Sequence, residues 1–455
     1  MAKKQVDIIV VGAGLTGLTL AYYLKKAGKH VLLLEKNDDV GGVIDSVRED
    51  GFIYEKGPTT GVIGSEELVE LFENLTGDCA VELTNPVADE RWILKDGKWV
   101  ALPTGLKSAV STPLFSLKDK FRILGEPWRK KGTDPDESLA DLVKRRMGES
   151  YLDYAVDPFI SGIYAGDPTK LITKYAMPKL YQLEQNYGSF IKGAIRKRKE
   201  PKTELQKKVT RKVFSLEGGL RSLIVALKKN IGEENIVCSC RDLKITLDNS
   251  DYITQYFKDS EEYKIQSAKV VTTVGGYALP KVLPFVEDEM IEPVAVTKYA
   301  KVSQVVAGFK KWEGIPLKAF GGLVPSKENR DILGILFPGS LFKHRNPNGG
   351  ALLSVFIGGI KKPELIEKSD EELKQIVMKE VASTLQHIGE PDLFKVHRYH
   401  HAIPQYDISS EARLKAIKHI EDKYKGLFLA GNICDGIGMA DRVKQARALS
   451  KKLCK

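Results

Sequence analysis

Six consecutive residues, Gly12-Ala13-Gly14-Leu15-Thr16-Gly17, followed after a further helix-length stretch by Glu35, have the types and spacing that grip a dinucleotide. In this pattern Gly12 permits a tight turn, Gly14 lets backbone approach a pyrophosphate, and Gly17 lets a helix pack closely on a strand. The N–H groups at the helix start then face the phosphates. Glu35 suits the adenosine ribose hydroxyls and would repel a 2′-phosphate, which disfavours NADP. Gly41-Gly42, shortly after Glu35 and Lys36, is a pair that lets the chain pass close to a diphosphate and a flavin. An NAD fold has no particular need for glycines there, so FAD is the expected cofactor.

The far end of the chain carries a second set. Leu427-Phe428-Leu429-Ala430-Gly431-Asn432 reads as a short apolar strand, followed by Asp435-Gly436-Ile437-Gly438-Met439 and a helical run rich in Ala, Lys and Arg. Gly431 and Gly438 would allow close backbone approach, and the positive end of the following helix could favour negative charge on a reduced flavin ring. Asp435 could reach ribityl or phosphate-side hydroxyls. Cys434 beside these glycines needs no more explanation than a small buried residue, so the flavin is expected to be non-covalent. His397, His400 and His401 cluster without Cys or Glu at ligand spacing, and no metal site is expected.

The elements that must position these residues follow from hydropathy. Val6 to Val11 is a β-branched run that predicts a buried parallel strand, a helix reaches about Lys26, Gly28 ends it, and Val31 to Leu34 predicts a second strand. The unit is βαβ. From about Leu117 to Lys212 the chain is amphipathic, charged and helix-like, and Val302 to Phe309 and Leu352 to Ile357 predict later apolar strands. The helical part interrupts the α/β pattern as an insertion.

With 455 residues, 42% hydrophobic and 29% charged, the composition suits two or three folded domains and excludes disorder, collagen-like repeats and a multi-span membrane protein. Five cysteines without a CxxC pair point to a reducing compartment and away from zinc ribbons. Ile8 to Leu24 lacks charge, but its glycines, its length and its continuation into patterned sequence argue against a signal peptide or a membrane anchor. Cytoplasmic residence is the expectation. The net charge of +10 is concentrated between Lys192 and Lys212, where ten basic residues face Glu200 and Glu204. Such a run is a solvated helix or loop, or a patch for anionic membrane, RNA or acidic substrates.

Several of these motifs together resemble a known family. GAGLTG with Glu35 and Gly41-Gly42, and LAGN with DGIGMAD near the C terminus, are similar to the two ends of flavin amine oxidases. Asp157-Pro158-Phe159-Ile160 leading into SGIYAGDP (161–168), FSLEGGL (214–220), FGGLVPSKE (320–328) and AIPQY (402–406) resemble the protoporphyrinogen/coproporphyrinogen oxidase family, and the motifs span nearly the whole chain. The resemblance implies an α/β and α+β architecture: a discontinuous FAD-binding Rossmann-like domain (1–75, 210–275, 415–455), a mixed-sheet substrate domain (76–100, 190–209, 276–414) and an inserted helical, membrane-facing domain (101–189). It implies oxidation of a porphyrinogen, protoporphyrinogen IX before coproporphyrinogen III, with molecular oxygen as acceptor and hydrogen peroxide as product, in haem biosynthesis. The flavin carries that chemistry and no catalytic side chain is implied.

Residue by residue, the resemblance places Gly12, Ala13, Gly14, Leu15, Thr16, Gly17, Glu35, Lys36, Gly41, Gly42 and Val43 at the cofactor. It adds Gly57, Pro58, Thr59, Gly431, Asn432, Asp435, Gly438 and Met439. At the substrate it places Gly162, Leu323, Leu336, Phe356 and, for a propionate, Arg91. Two departures concern Thr59-Thr60-Gly61 after Gly57-Pro58, where relatives carry a Ser-Phe or similar pair, and Val43, where others carry larger or basic residues. A peripheral membrane contact is implied, nucleic acid is not expected, and the oligomeric state stays open. The rival readings are a flavin amine oxidase or carotenoid-type desaturase, and a non-catalytic dinucleotide-binding protein with a basic face.

Overall fold

The computed structural model describes residues 4–201 and 203–455; Met1 to Lys3, and Lys202 of the basic run, lie outside the described residues. Val6 to Val11 belong to the strand Lys4–Val11, whose central Ile8, Ile9 and Val10 are buried, as two-sided coverage of a parallel strand requires. Gly12 breaks it, the helix Leu15–Lys26 follows, and Val31–Leu34 returns parallel to the first strand. On the other side Lys4–Val11 pairs in parallel with Glu261–Thr272, which also pairs in parallel with the C-terminal strand Leu427–Leu429. Ile236–Val237 forms one edge, and Asp251–Lys258 and Arg241–Asp248 extend the sheet antiparallel at the other. Seven described strands thus make one sheet from segments remote in sequence.

A second sheet of seven described strands runs Leu393–Pro404, Tyr299–Phe309, Ala351–Gly358, Ile332–Leu336, Ala319–Leu323, Glu90–Lys95 and Lys98–Ala101. The predicted strands over Val302 to Phe309 and Leu352 to Ile357 lie inside two of these. It is antiparallel except where Ala319–Leu323 pairs in parallel with Glu90–Lys95. Its core is made by Val305, Ala307, Phe309, Ile335, Leu353 and Val355, packed on Leu373, Val377 and Val381 of the helical segment beginning Asp370–Glu380.

Between Leu106 and Lys208 the described elements are helical, from Leu106–Ser111 to Glu204–Lys208, as the amphipathic pattern predicts. Their own small core contains Leu139, Leu142, Val143, Leu152, Ile160 and Leu171. Beside it lies a buried polar network. Arg146, fully buried, pairs with Glu126 at 2.7 Å and Glu184 at 2.6 Å, while Arg145 reaches Glu137 and Glu184 at 2.7 and 2.9 Å. No described helix is long and apolar enough to cross a membrane.

Candidate active site

The turn after the first strand leaves bare backbone. A Cβ on Gly17 would lie 1.9 Å from the Gly12 carbonyl oxygen, so no side chain fits where this helix leaves the strand. A Cβ on Gly14 would meet nothing within 4 Å, which marks that backbone as open to a ligand. Gly41 donates its N–H to the Ala13 carbonyl at 2.8 Å and forms a bridge with Gly14, laying the second glycine pair alongside the first. Glu35 is buried; its carboxylate accepts the N–H groups of Ala13 at 2.7 Å and Asn37 at 3.0 Å and so holds both loops.

Gly57, at φ 93°, occupies a position where a Cβ would collide with the Val43 carbonyl at 2.3 Å. Its N–H donates to Gln304 Oε1 at 2.5 Å, and Gln304 Nε2 donates to the Glu55 carbonyl at 3.1 Å and to Ser354 Oγ at 2.9 Å. One buried glutamine of the second sheet therefore fixes the Glu55–Gly57 segment across the junction. Thr59, next in this stretch, is buried with an Oγ1 that has no partner among the described residues. At the C-terminal end Gly431 donates to Gln445 Oε1 at 2.8 Å, Tyr406 donates its hydroxyl to the Asn432 carbonyl at 3.3 Å, and Gly438 caps the helix Met439–Leu453.

These segments enclose one cavity of about 530 Å³. Of the residues placed at the cofactor, Gly14, Leu15, Thr16, Gly41, Val43 and Gly57 line it, as do Pro58, Thr59, Gly431, Asn432, Gly438 and Met439. Gly12, Ala13, Gly17, Glu35, Lys36 and Gly42 stand behind this wall or beyond it, and Asp435 is exposed with its carboxylate on Gln445 Nε2 at 2.9 Å. Gly162 and Phe356 line the apolar part of the same cavity with Ile163, Val302, Leu333 and Ile403. Leu323 lies behind Gly162, its Cδ2 2.4 Å from where a Cβ on that glycine would sit. Leu336 lies on the strand Ile332–Leu336, opposite Gly321, and is not part of the cavity wall. Arg91 is exposed, its guanidinium 5.5 Å from the Phe320 ring, and is likewise outside the wall.

Sequence reasoning left several wall residues unremarked. Tyr277 stacks on His401 with ring centroids 3.9 Å apart, and Tyr299 meets the same imidazole edge-on at 5.5 Å. Burial, then His400, Lys301 and Lys36, hold His401 below the ordinary histidine range, which favours the neutral imidazole. Burial raises Tyr299 and Tyr399 to about 12, which keeps both phenols protonated. Gln304 and Arg442 also line the cavity. A glutamine amid Val302, Val305 and Val306 was the one available signal, since a polar side chain in a buried strand must have a partner.

The donor set fits a flavin dinucleotide: unhindered glycine backbone beside a helix N terminus for the phosphates, and a buried orphan hydroxyl with an apolar compartment for a flat ring. Among the described residues no group of three or more His, Cys, Asp or Glu could hold a metal ion.

The profile described as "Flavin containing amine oxidoreductase" matches residues 15–447. Protoporphyrinogen oxidase 2, chloroplastic/mitochondrial, of Arabidopsis thaliana is 31% identical over 96% of this chain and 91% of its own length. Coproporphyrinogen III oxidase of Bacillus subtilis (strain 168) is 25% identical over 98% of each chain. A crystal structure from Exiguobacterium sp. 255-15 superposes with a TM-score of 0.82 at 23% identity, covering 100% of this chain and 99% of that one, and so shares the fold. The chain belongs to the flavin containing amine oxidoreductases, and within them to the protoporphyrinogen/coproporphyrinogen oxidase family.

Proposed function

We propose that this enzyme oxidises a porphyrinogen to the porphyrin in haem biosynthesis, with protoporphyrinogen IX preferred, non-covalent FAD as cofactor and molecular oxygen as acceptor. The observation that carries this reading is the single cavity in which a glycine-backbone wall meets an apolar compartment at Gly162 and Phe356. When bound, FAD supplies the two-electron acceptor, used three times over for the six electrons removed, with three molecules of oxygen leaving as hydrogen peroxide. The protein binds and orients. Gln304 holds the Gly57 wall in place, Phe356, Leu333 and Val302 exclude water from a large apolar ring, and Lys36 and Lys301, near enough to His401 to keep its imidazole neutral, suit the carboxylates at its edge. Burial pushes the Cys434 thiol up to about 12, so it is no nucleophile for a covalent flavin link.

The chain divides on this reading into the cofactor domain (1–75, 210–275, 415–455), the substrate domain (76–100, 190–209, 276–414) and the helical domain (101–189). The helical domain lies on an anionic membrane surface from the cytoplasmic side. Trp128 is 80% and Phe121 71% exposed, beside exposed Leu117 and Leu124, and the adjoining 190–209 segment adds exposed Ile195 and Lys192, which stands 5.9 Å from the Trp128 ring. Liposomes containing anionic lipid should float the wild type and release Phe121→Ser/Trp128→Ser; equal flotation of both removes this face from the interaction.

Porphyrin fluorescence, followed as the purified protein meets protoporphyrinogen IX or coproporphyrinogen III in air, tests the main reading. Growth fastest with protoporphyrinogen IX supports it. Growth only with coproporphyrinogen III moves the substrate assignment, and no growth above an enzyme-free blank from flavin-loaded protein overturns it.

A further inference from the structure

Arg442 lies in the second turn of the helix Met439–Leu453, and its side chain faces the cavity wall formed by Asn432, Ile437 and Gly438. It is only 8% exposed and forms no ion pair with a carboxylate among the described residues. Its Nη1 donates to Gln445 Oε1 at 3.2 Å and its Nη2 to the Gly436 carbonyl at 2.9 Å. Nε is buried with no partner. A second buried guanidinium, that of Arg413, stands 5.1 Å from the ring of Tyr406 and also has an unpartnered Nε. A desolvated cation without a counter-charge is costly. The nearby acids Asp435 and Asp441 act on it through space without outweighing its burial: both are exposed, make no ion pair with it, and accept from Gln445 and from the Gly438 N–H.

The fixed charge is wired to the backbone of the C-terminal wall. Gln445 Oε1 accepts from both Arg442 and the Gly431 N–H, so guanidinium and glycine turn are held by one amide. The helix that begins at Gly438 is itself capped by Asp441, which offsets its dipole, and Arg442 restores positive charge at that wall. Lys36 and His401 are exposed, whereas Arg442 is buried at the cavity wall.

We propose that Arg442 is a positioning residue for charge: it is the built-in counter-ion for the negative charge that a flavin ring at this wall acquires on reduction. Two electrons and one proton taken from substrate leave the reduced ring with one negative charge, and a guanidinium facing it favours that form over the oxidised one. The inference rests on the flavin assignment but not on the identity of the substrate.

Anaerobic redox titration of the FAD-loaded wild type, Arg442→Met and Arg442→Lys tests it, together with titration by sulfite, whose adduct places the same negative charge on the ring. Arg442→Met should disfavour the reduced form about tenfold, a fall of about 30 mV for a two-electron couple, and should weaken sulfite binding by a similar factor. Arg442→Lys should recover most of both. Should Arg442→Met fail to fold, Arg442→Gln gives the same reading without charge. Unchanged potential and sulfite affinity overturn the proposal. So does an unchanged potential with tenfold weaker binding of protoporphyrin but not of its dimethyl ester, which would assign Arg442 to a substrate carboxylate. Wild-type protein that binds no FAD overturns the proposed function itself, whereas failure to oxidise any porphyrinogen leaves the potential measurement intact.

Discussion

Two buried arginines differ in almost everything except burial. Arg146, in the helical region, is enclosed by Glu126 and Glu184, and Glu126 is satisfied further by Ser189 Oγ and the N–H groups of Phe190 and Ile191. Burial pushes both carboxyls up, but these hydrogen bonds and the arginines hold them below the ordinary glutamate range, so the network stays ionised and internally complete. Arg442 has two neutral acceptors and an orphan Nε. A complete network belongs to architecture, whereas an incomplete one facing a cavity is charge held ready for something that arrives.

The largest effect should come from Arg146→Met. Removing the cation leaves buried Glu126 with hydrogen bonds but no ion pair and Glu184 with Arg145 alone, which costs about 3 kcal/mol, read as a lower denaturant midpoint at unchanged slope. The flavin spectrum of the surviving folded protein should not change. A loss below about 1 kcal/mol would erase the distinction between the two arginines.

Arg345 is an intermediate case that sharpens it. Its guanidinium is buried, 3.5 Å from Glu55 and 3.5 Å from Glu82, and Nη1 lacks a hydrogen bond. Burial, opposed by Ser46, the Leu220 N–H and Arg345, raises Glu55 to about 7. Because this folded-state value exceeds the unfolded one, the native protein holds the proton more tightly. The associated stability is complete below the unfolded pKa and is lost as pH rises through about 7. The loss amounts to roughly 3 kcal/mol at most. Glu55→Gln should flatten thermal stability between pH 5 and 8 relative to wild type; parallel profiles would place Glu55 outside that transition.

Gln304 is the neutral counterpart, a buried polar group with every partner in place. Gln304→Leu leaves the Gly57 N–H and the Glu55 carbonyl unpaired, at a cost of about 2 kcal/mol, and should weaken FAD retention on gel filtration because the Gly57 wall loses its tether. Full retention with unchanged stability would show that Gly57 is held without it.

How much of this was legible in the chain follows from the range of the interactions. The first strand, its glycine turn and the returning strand are local: β-branched residues, Gly12 and Gly28 carry their own conformational signals within a few positions. That Gly14 and Gly41 leave bare backbone was readable because the lack of a side chain is a property of single residues, whereas Gly57 at the same cavity wall was reached only through the family resemblance. The charged network at Arg146 was not, since a helix bearing Lys144, Arg145 and Arg146 reads as a solvated face until Glu126 and Glu184 are brought over it. Arg442 was hidden in the same way, as one cation in the helical run 439–453 with several others. The aromatic edge of the cavity joins Tyr277, Tyr299 and His401 from three separate segments, and no local pattern specifies that meeting.

The smallest effect is expected where the sequence gives least warning. In the oxidised holoenzyme, Arg442→Met removes a desolvated cation, which stabilises, and breaks two hydrogen bonds worth about 1 kcal/mol each. The two contributions oppose, and the unfolding free energy should stay within about 1 kcal/mol of wild type, against the several kcal/mol expected at Arg146. After reduction of the flavin the balance should tilt. A counter-ion that favours the reduced form tenfold is worth about 1.4 kcal/mol, so the variant should fall behind wild type by that margin in the reduced protein alone. A loss of 3 kcal/mol or more in the oxidised protein would make Arg442 a structural arginine of the Arg146 kind, and an equal deficit in both redox states would separate its charge from the flavin.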